Sequence, residues 1–575
     1  MAATATSHQN APSFGISRRA FAGGLAFLGA AGLAGLLAPR ASLAAGASAS
    51  SDGELGGQGG VSGSQVSDKH VTNAGDHPDT LTIFVGEEPD GGFDPLTTYW
   101  GYNGAHILFQ SRLLAFDKNL DLVFDLATGV DVSDDGLTYT YHLRGGVKFS
   151  DGSDLTADDV VFSYLTARDN GASVIDFTDL ADARAVDSAT VEFTLKGPDS
   201  SFLARTGQLG IVPKALYDAQ SYRENPVGSG PFRLLQWDKG QQIIIEPNEH
   251  YYGTKSPFRQ ITLVFIDGET ALANAQSGRL DVVMVQPEYA TAMVPGMSLQ
   301  TFETLDTRGF ALPVTPLTTG ADGKQYGNDA FADRAVREAL CIGISRQAIV
   351  DGALNGIGTP STAMINYVAW ANPDCSYQDG RVDEAKKILD DAGWVPGSDG
   401  IRVKDGVRCS LPITGRTDDL QRYNVAVAFS QEAAKLGIEL KATSAPWQEC
   451  KDNTGWQPTC WGTGSYNPAG DLRGYYSSTG SYNYCHYENA QTDAHIQAAL
   501  DTTDYAQAIE EWKKAQFDGQ TGPESDKGDF AFAWLVTIDH TYFVRDGLSL
   551  GEQIVHPHGH GWPVVTNLNE WHWEK

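Results

Sequence analysis

The sequence predicts a mixed α/β fold of more than one domain, and three observations carry that expectation. At 575 residues, with 41% apolar residues and 12 Trp, the chain is long and apolar enough for several buried cores. The stretch "LTYTYHL", Leu137 to Leu143, sets Leu137, Tyr139, Tyr141 and Leu143 against Thr138, Thr140 and His142, the two-residue period of a strand with one buried face. The helical pattern "DDLQRYNVAVAFSQEAAKLG" stops at Gly437 and is followed at once by the strand-like "IELKAT", a helix-glycine-strand join typical of α/β layers.

In chain order, residues 1–44 read as a twin-arginine export signal. "SRRAF", Ser17 to Phe21, precedes an uncharged run from Ala20 to Ala38 in which 12 of 19 residues are Gly or Ala, then Pro39-Arg40 and "ASLAA". Such a run is weakly apolar for a membrane span, although its length permits an uncleaved anchor as the alternative. Ala44, Ala45, Ala47 and Ala49 are all acceptable ends of the signal. No Cys lies nearby, so the reading excludes a lipid-modified N-terminal Cys. Residues 45–79 are rich in Gly and Ser and hold too few large apolar side chains to offset the entropy of ordering, so they read as a linker.

From Leu81 the folded pattern begins with the strand-like "LTIFVG". "TADDVVFSYLTARD" reads as a helix capped at Thr156, with Asp159 three residues on as a capping box requires. "DEAKKILDDAG" reads as a helix from Asp383 to Gly393. The stretch "NPVGSGPFRLLQWDKGQQIIIEPNEHYYG", Asn225 to Gly253, holds a turn and a hairpin. Gly228 and Gly230 allow positive φ or close backbone approach, Pro231 keeps Gly230 from the helical region, and Asp238-Lys239-Gly240 separates two apolar runs.

A net charge of −31 disfavours nucleic acid and anionic membrane surfaces as partners, since both are bound through clustered Lys and Arg. Export places Cys341, Cys375, Cys409, Cys450, Cys460 and Cys485 in an oxidising compartment, where six cysteines permit three bridges; spacing points to Cys450, Cys460 and Cys485 as disulfide candidates. No C-x-x-C pair is present to chelate a metal. Nor does any H-E-x-x-H, G-x-S-x-G, P-loop or dinucleotide-binding glycine motif stand in a catalytic context, so no catalytic residue and no cofactor are expected. The paired acids Asp134-Asp135 and Asp158-Asp159 are explained by a turn and a helix cap.

Six segments fall in one order: "EPDGGFDPL" (Glu88 to Leu96), "VSDDGLTYTYHLRGGVKFSDGSDLTADDVVFS" (Val132 to Ser163), "PVGSGPFRLLQWDKG", "NEHYYG", "SGRLDVV" (Ser277 to Val283) and "FADRAVREALCIGISRQAIV" (Phe331 to Val350). Together they resemble the extracytoplasmic solute-binding proteins of peptide and nickel ABC importers, family 5, over roughly Leu81 to Leu500. The resemblance implies a two-lobed clamshell of the type II periplasmic-binding-protein class with a subdomain inserted in the first lobe. On that pattern residues 80–110, 215–308 and 537–575 form the first lobe, 111–214 the inserted subdomain and 309–536 the second lobe. It further implies a monomer that encloses a small molecule or peptide between its lobes and delivers it to membrane permease subunits driven by cytoplasmic ATPases.

For the ligand, many peptide-binding members carry an Asp in a stretch like "ADYNEP" that pairs with the peptide's α-amine. The matching stretch here is "WGTGSYNP", Trp461 to Pro468, where the Asp position falls on Ser465; Asp471 substitutes if the loop is registered differently. "TCWGTGSYNP" also resembles the "TWG..YDP" stretch of nickel-type members, which keeps a metal chelate as the alternative ligand. An oligopeptide or peptide-like solute ranks first as the family's common ligand, and an exported cofactor enzyme is the remote alternative. Tyr99, Trp100 and Tyr102 from one lobe, and Trp447, Trp461 and Tyr466 from the other, are candidate cleft aromatics. His486 in "NYCHYEN" is a further ligand candidate. In "HPHGHGWP", His556, His558 and His560 alternate as metal ligands would on a strand, but Pro557, Gly559 and Gly561 break that pattern, so structural histidines are the favoured reading.

Overall fold

The computed structural model describes residues 77–89, 91–97, 108–118, 120–170, 175–559 and 562–574. The expected export signal, the expected linker as far as residue 76, and the candidates Tyr99, Trp100, Tyr102 and His560 lie outside the described residues. The last residues of the expected linker are already tied down: His77 stacks on Trp573 with ring centres 4.7 Å apart, and Arg259 N donates to Asp79 O at 2.7 Å.

Two lobes share the chain unequally. The first is built on a seven-stranded sheet in the order Met297–Phe302, His540–Arg545, Val282–Val285, Thr80–Phe84, Gln260–Val264, Gln242–Pro247, Phe232–Asp238. Thr80–Phe84 runs parallel to both its neighbours, and the remaining pairings are antiparallel. Leu81, Ile83, Ile243, Ile245, Ile261, Leu263 and Val282 pack its core with the fully buried Trp562 and Trp571. The hairpin expected from Asn225 onward is present, pairing Phe232–Asp238 with Gln242–Pro247 around Gly240 at φ +72°.

An antiparallel four-stranded sheet, Ala127–Val132, Thr138–Leu143, Thr190–Leu195 and Leu180–Asp187, forms the inserted subdomain. Its strand at Thr138–Leu143 buries Tyr139, Tyr141 and Leu143, the face the alternation predicts. The helix Ala157–Asn170 starts where the capping pattern places it, and Thr156 N donates to Asp159 Oδ2 at 2.8 Å. Gly228 and Gly230 return the chain from this subdomain by close approach rather than positive φ. A Cβ on Gly228 would lie 2.0 Å from the Phe109 carbonyl oxygen, and Gly230 N donates to that same oxygen at 2.7 Å.

The second lobe combines a four-stranded sheet, Thr359–Pro360, Phe532–Thr537, Thr307–Ala311 and Trp461–Thr463, with the parallel pair Ser410–Arg416 and Glu439–Ala445. Helix Leu420–Ala434 is capped by Asp419, which accepts from Arg422 N, and it is followed by Gly437 at φ +77°, so the predicted helix-glycine-strand join holds. Helix Val382–Asp391 likewise is followed by Gly393 at φ +87°. The chain crosses between lobes at Glu303–Asp306 and again at Ile538–Asp539. These crossings are hydrogen-bonded to each other: Thr304 Oγ1 donates to Ile538 O at 2.5 Å and Ile538 N to Asp306 O at 3.0 Å.

The disulfide expectation is corrected. All six cysteines are buried free thiols. Cys460 lies in the main core of the second lobe and Cys485 in a separate aromatic cluster, while the Cys450 thiol donates to Gly415 O and Ala445 O. Burial pushes the Cys460 and Cys485 thiols up to about 12, which keeps them protonated and unreactive. Thiol titration of the denatured, unreduced protein should therefore count six free thiols; fewer would reinstate bridging. Gly228→Ala should destabilise the fold by about 1–3 kcal/mol in denaturant unfolding, because the added methyl meets main chain rather than a movable side chain.

Candidate functional site

The parallel strands locate the site. In α/β sheets ligands bind outside the carboxyl ends of parallel strands. In the first lobe Thr80–Phe84 delivers Gly86, Glu87 and Glu88 to that edge. In the second, Ser410–Arg416 and Glu439–Ala445 deliver Arg416 to Asp419 and Pro446-Trp447. The two edges lie within electrostatic reach. Burial raises the Glu87 carboxyl, Arg416 from the other lobe draws it down, and Asp418 and Asp419 push it further up.

A column of flat groups rises from the second-lobe edge. The Arg416 guanidinium lies 4.8 Å from the centre of the Trp447 ring, Trp447 lies 4.8 Å from Trp461, and Trp461 lies 4.9 Å from Tyr484. Arg416 is held in place by two bonds to Asp418, at 2.8 and 2.6 Å. All four members of the column are partly exposed, so each retains a face for a ligand. Trp461 is positioned by sheet register, opposite Gly309 on the crossing strand Thr307–Ala311. The structure thus brings together Trp447 and Trp461, two of the sequence candidates, and adds Glu87, Arg416, Asp418 and Tyr484. The family motif beginning at Glu88 bordered Glu87, but Arg416 closes the strand Ser410–Arg416 and Tyr484 stands in irregular chain, and no motif marks either of them.

The loop after Trp461 depends on glycine. Gly464, at φ +151°, passes so near the crossing strand that a Cβ would lie 2.3 Å from Leu305 O. Beneath the loop, buried Asp471 accepts from Thr463 Oγ1 at 2.6 Å and from Ser465 N at 2.9 Å. Burial raises its pKa, and these bonds only partly offset the rise. Asp471 therefore braces the loop, and Ser465 folds back, its Oγ donating to Asn467 O at 2.9 Å. Tyr466 rests on Phe116 of the first lobe, ring centres 4.9 Å apart, and its hydroxyl donates to Val555 O.

Further contacts hold the lobes together away from the crossings. Ser200 of the inserted subdomain donates from N to Leu500 O at 3.1 Å and from Oγ to Ala499 O at 2.7 Å, and Asn355 Nδ2 donates to Pro287 O at 3.2 Å.

Among the described residues the histidines do not assemble a metal site. His556 is fully buried against Phe302, with its ring nitrogens 3.1 Å from His540 Nδ1 and 3.2 Å from Gln553 Oε1. Burial lowers its pKa, and His540 lowers it further, which holds it neutral. His558 turns instead to Asp306, 2.9 Å away. Among the described residues no group of three or more His, Cys, Asp or Glu could hold a metal ion. His486 is exposed at φ +57°, its ring against Tyr326 at 4.5 Å and apart from the Trp447–Trp461 column.

Comparison with known proteins agrees with this architecture. The family model of the bacterial extracellular solute-binding proteins, family 5, matches residues 121–483. Protein XP55 of Streptomyces lividans is 34% identical over 495 residues, covering 81% of this chain and 85% of that protein. The oligopeptide-binding protein AppA of Bacillus subtilis is 28% identical over 432 residues, covering 71% and 78%. Among solved structures, that of NikZ from Campylobacter jejuni in complex with Ni(L-His) superposes with a TM-score of 0.73 at 24% identity, covering 86% of this chain and all of that one. The chain is a member of the family 5 bacterial extracellular solute-binding proteins.

Proposed function

We propose that this protein is the solute-binding component of an ABC importer and that it captures an oligopeptide or peptide-like solute between its lobes. The observation that carries the reading is the Arg416–Trp447–Trp461–Tyr484 column facing Glu87 across the strand ends of the two lobes. Flat rings give large contact at little entropic cost and accept varied side chains, while fixed charges of both signs suit a solute with an amine and a carboxylate. The likeness to AppA, named as oligopeptide-binding, supports the same class. On this reading residues 80–110, 215–308 and 537–575 form the first lobe, 111–214 its inserted subdomain and 309–536 the second lobe, bounds that cut one to two residues into the second-lobe strands Thr307–Ala311 and Phe532–Thr537. The crossings at Glu303–Asp306 and Ile538–Asp539 act as the hinge, and closure moves the solute without altering it. The protein is then a monomeric carrier rather than an enzyme, exported by the twin-arginine route and docking on membrane permease subunits powered by cytoplasmic ATPases.

Calorimetric titration of the purified protein with short peptides and with Ni-histidine tests this. Saturable peptide binding with no response to Ni-histidine is the expected outcome, and stoichiometric nickel binding or turnover of any added compound would overturn it. Trp461→Ala should weaken peptide binding by about 2 kcal/mol or more. Unchanged affinity with a lowered Tm would return Trp461 to a purely structural role.

A further inference from the structure

We infer that Glu87 receives the positively charged amine of the solute, a role that deepens the peptide-like reading and rests on it. Glu87 and Glu88 leave the same strand end with opposite fates. Glu88 accepts from Trp237 Nε1 at 2.7 Å and from Gly240 N at 3.0 Å, so it is committed to holding the hairpin turn against the strand end. Glu87 is held through its main chain, whose carbonyl accepts from the Nε1 of fully buried Trp562 at 3.1 Å. Its carboxylate is exposed and, among the described residues, has no hydrogen bond and no ion pair.

The other charged groups at this edge are already matched. Asp418 is taken by Arg416 through two bonds. Asp419 accepts from Arg422 N at 3.1 Å and Nε at 2.8 Å. Arg416 in turn is fixed by Asp418 and by the face of Trp447, so it reaches Glu87 only as a distant field. Asp471 lies below the loop with both oxygens occupied. Of the acids named at this edge, Glu87 is the one without a side-chain partner; burial raises its carboxyl, and the charges of Asp418 and Asp419 raise it further. An ammonium placed there supplies the missing counter-charge, and the attached side chains then lie toward the Trp447–Trp461 column. In the peptide-binding pattern the acid stands at the position of Ser465; here the same chemistry is supplied from the opposite jaw.

The test begins with a pooled library of di- to pentapeptides presented to the full-length exported protein. Bound members are identified by mass spectrometry and resynthesised with free and with acetylated N termini, then titrated calorimetrically into wild type, Glu87→Gln, Glu87→Asp and Asp471→Asn. Wild type should favour the free amine by about tenfold or more, equivalent to about 1.4 kcal/mol. Glu87→Gln should erase that preference with Tm unchanged, Glu87→Asp should keep part of it, and Asp471→Asn should keep it even if Tm falls. The preference should also fade on acidification of wild type, as protonation removes the charge on Glu87, and Glu87→Gln should lack that pH dependence. Undiminished free-amine preference in Glu87→Gln, or equal wild-type affinity for acetylated peptides, overturns the inference while leaving the peptide reading standing. Retention of no peptide at all by wild type overturns the peptide reading and the inference with it.

Discussion

Everything in this molecule is organised around two short crossings that run side by side. Glu303–Asp306 and Ile538–Asp539 bond to each other, and the segment at His556 lies along the first of them, with Leu305 N donating to His556 O at 2.8 Å. At their centre Asp306 is completely buried and accepts from Arg308 Nη2 at 2.8 Å. Burial pushes the Asp306 carboxyl up, and the charges of Arg308, His558 and His540 more than offset it, leaving the acid ionised far below its usual range. An ion pair in such a place contributes little net stability, yet removal of one partner strands the other at a cost of about 3–5 kcal/mol. The cluster therefore acts mainly as a specification. It keeps the crossings in one register, and the register fixes where each lobe's strand ends point.

Both lobes then obey the same rule. Parallel strands release their chains at one edge, and the crossings bring the edges close enough for Glu87 to lie within the field of Arg416. Neither edge is chemically complete alone. The aromatic column belongs to the second lobe and the uncommitted carboxylate to the first, so on the proposed reading a solute meets both only between the lobes. Ser200 and Asn355 join the lobes through ordinary main-chain acceptors. Contacts of this type are weak, each contributing about 1 kcal/mol.

The histidines and cysteines illustrate how composition misleads when burial is unknown. His556 and His558 are two residues apart on an extended run, which on paper points both imidazoles one way. Proline and glycine between and after them let one ring turn into the core toward His540 and the other toward Asp306. The six thiols were an even number in a chain marked for export, which is a fair basis for expecting bridges. Each instead fills an apolar or hydrogen-bonded niche of the second lobe, Cys341, Cys409 and Cys460 in its main core, as a small hydrophobic residue does.

What the sequence by itself determined was local and periodic. The buried face of Thr138–Leu143, the Thr156–Asp159 cap, the stops at Gly393 and Gly437 and the hairpin around Gly240 all rest on interactions within a few residues, and ordered family motifs placed them in a two-lobed frame. Trp447 and Trp461 were also legible, as candidate cleft aromatics that the family resemblance put on the second lobe. Only the tertiary structure decided that Glu88 is bound while Glu87 is free, that Asp471 supports the loop from below, and that Arg416 lies on Trp447. These outcomes depend on partners 8 to more than 140 residues away in sequence, as the bonds from Asp471 to Thr463 and from Glu88 to Trp237 illustrate. Charge pairing has no period to read. It is settled by which groups the folded backbone brings within a few ångströms, and that is a property of the packed chain alone.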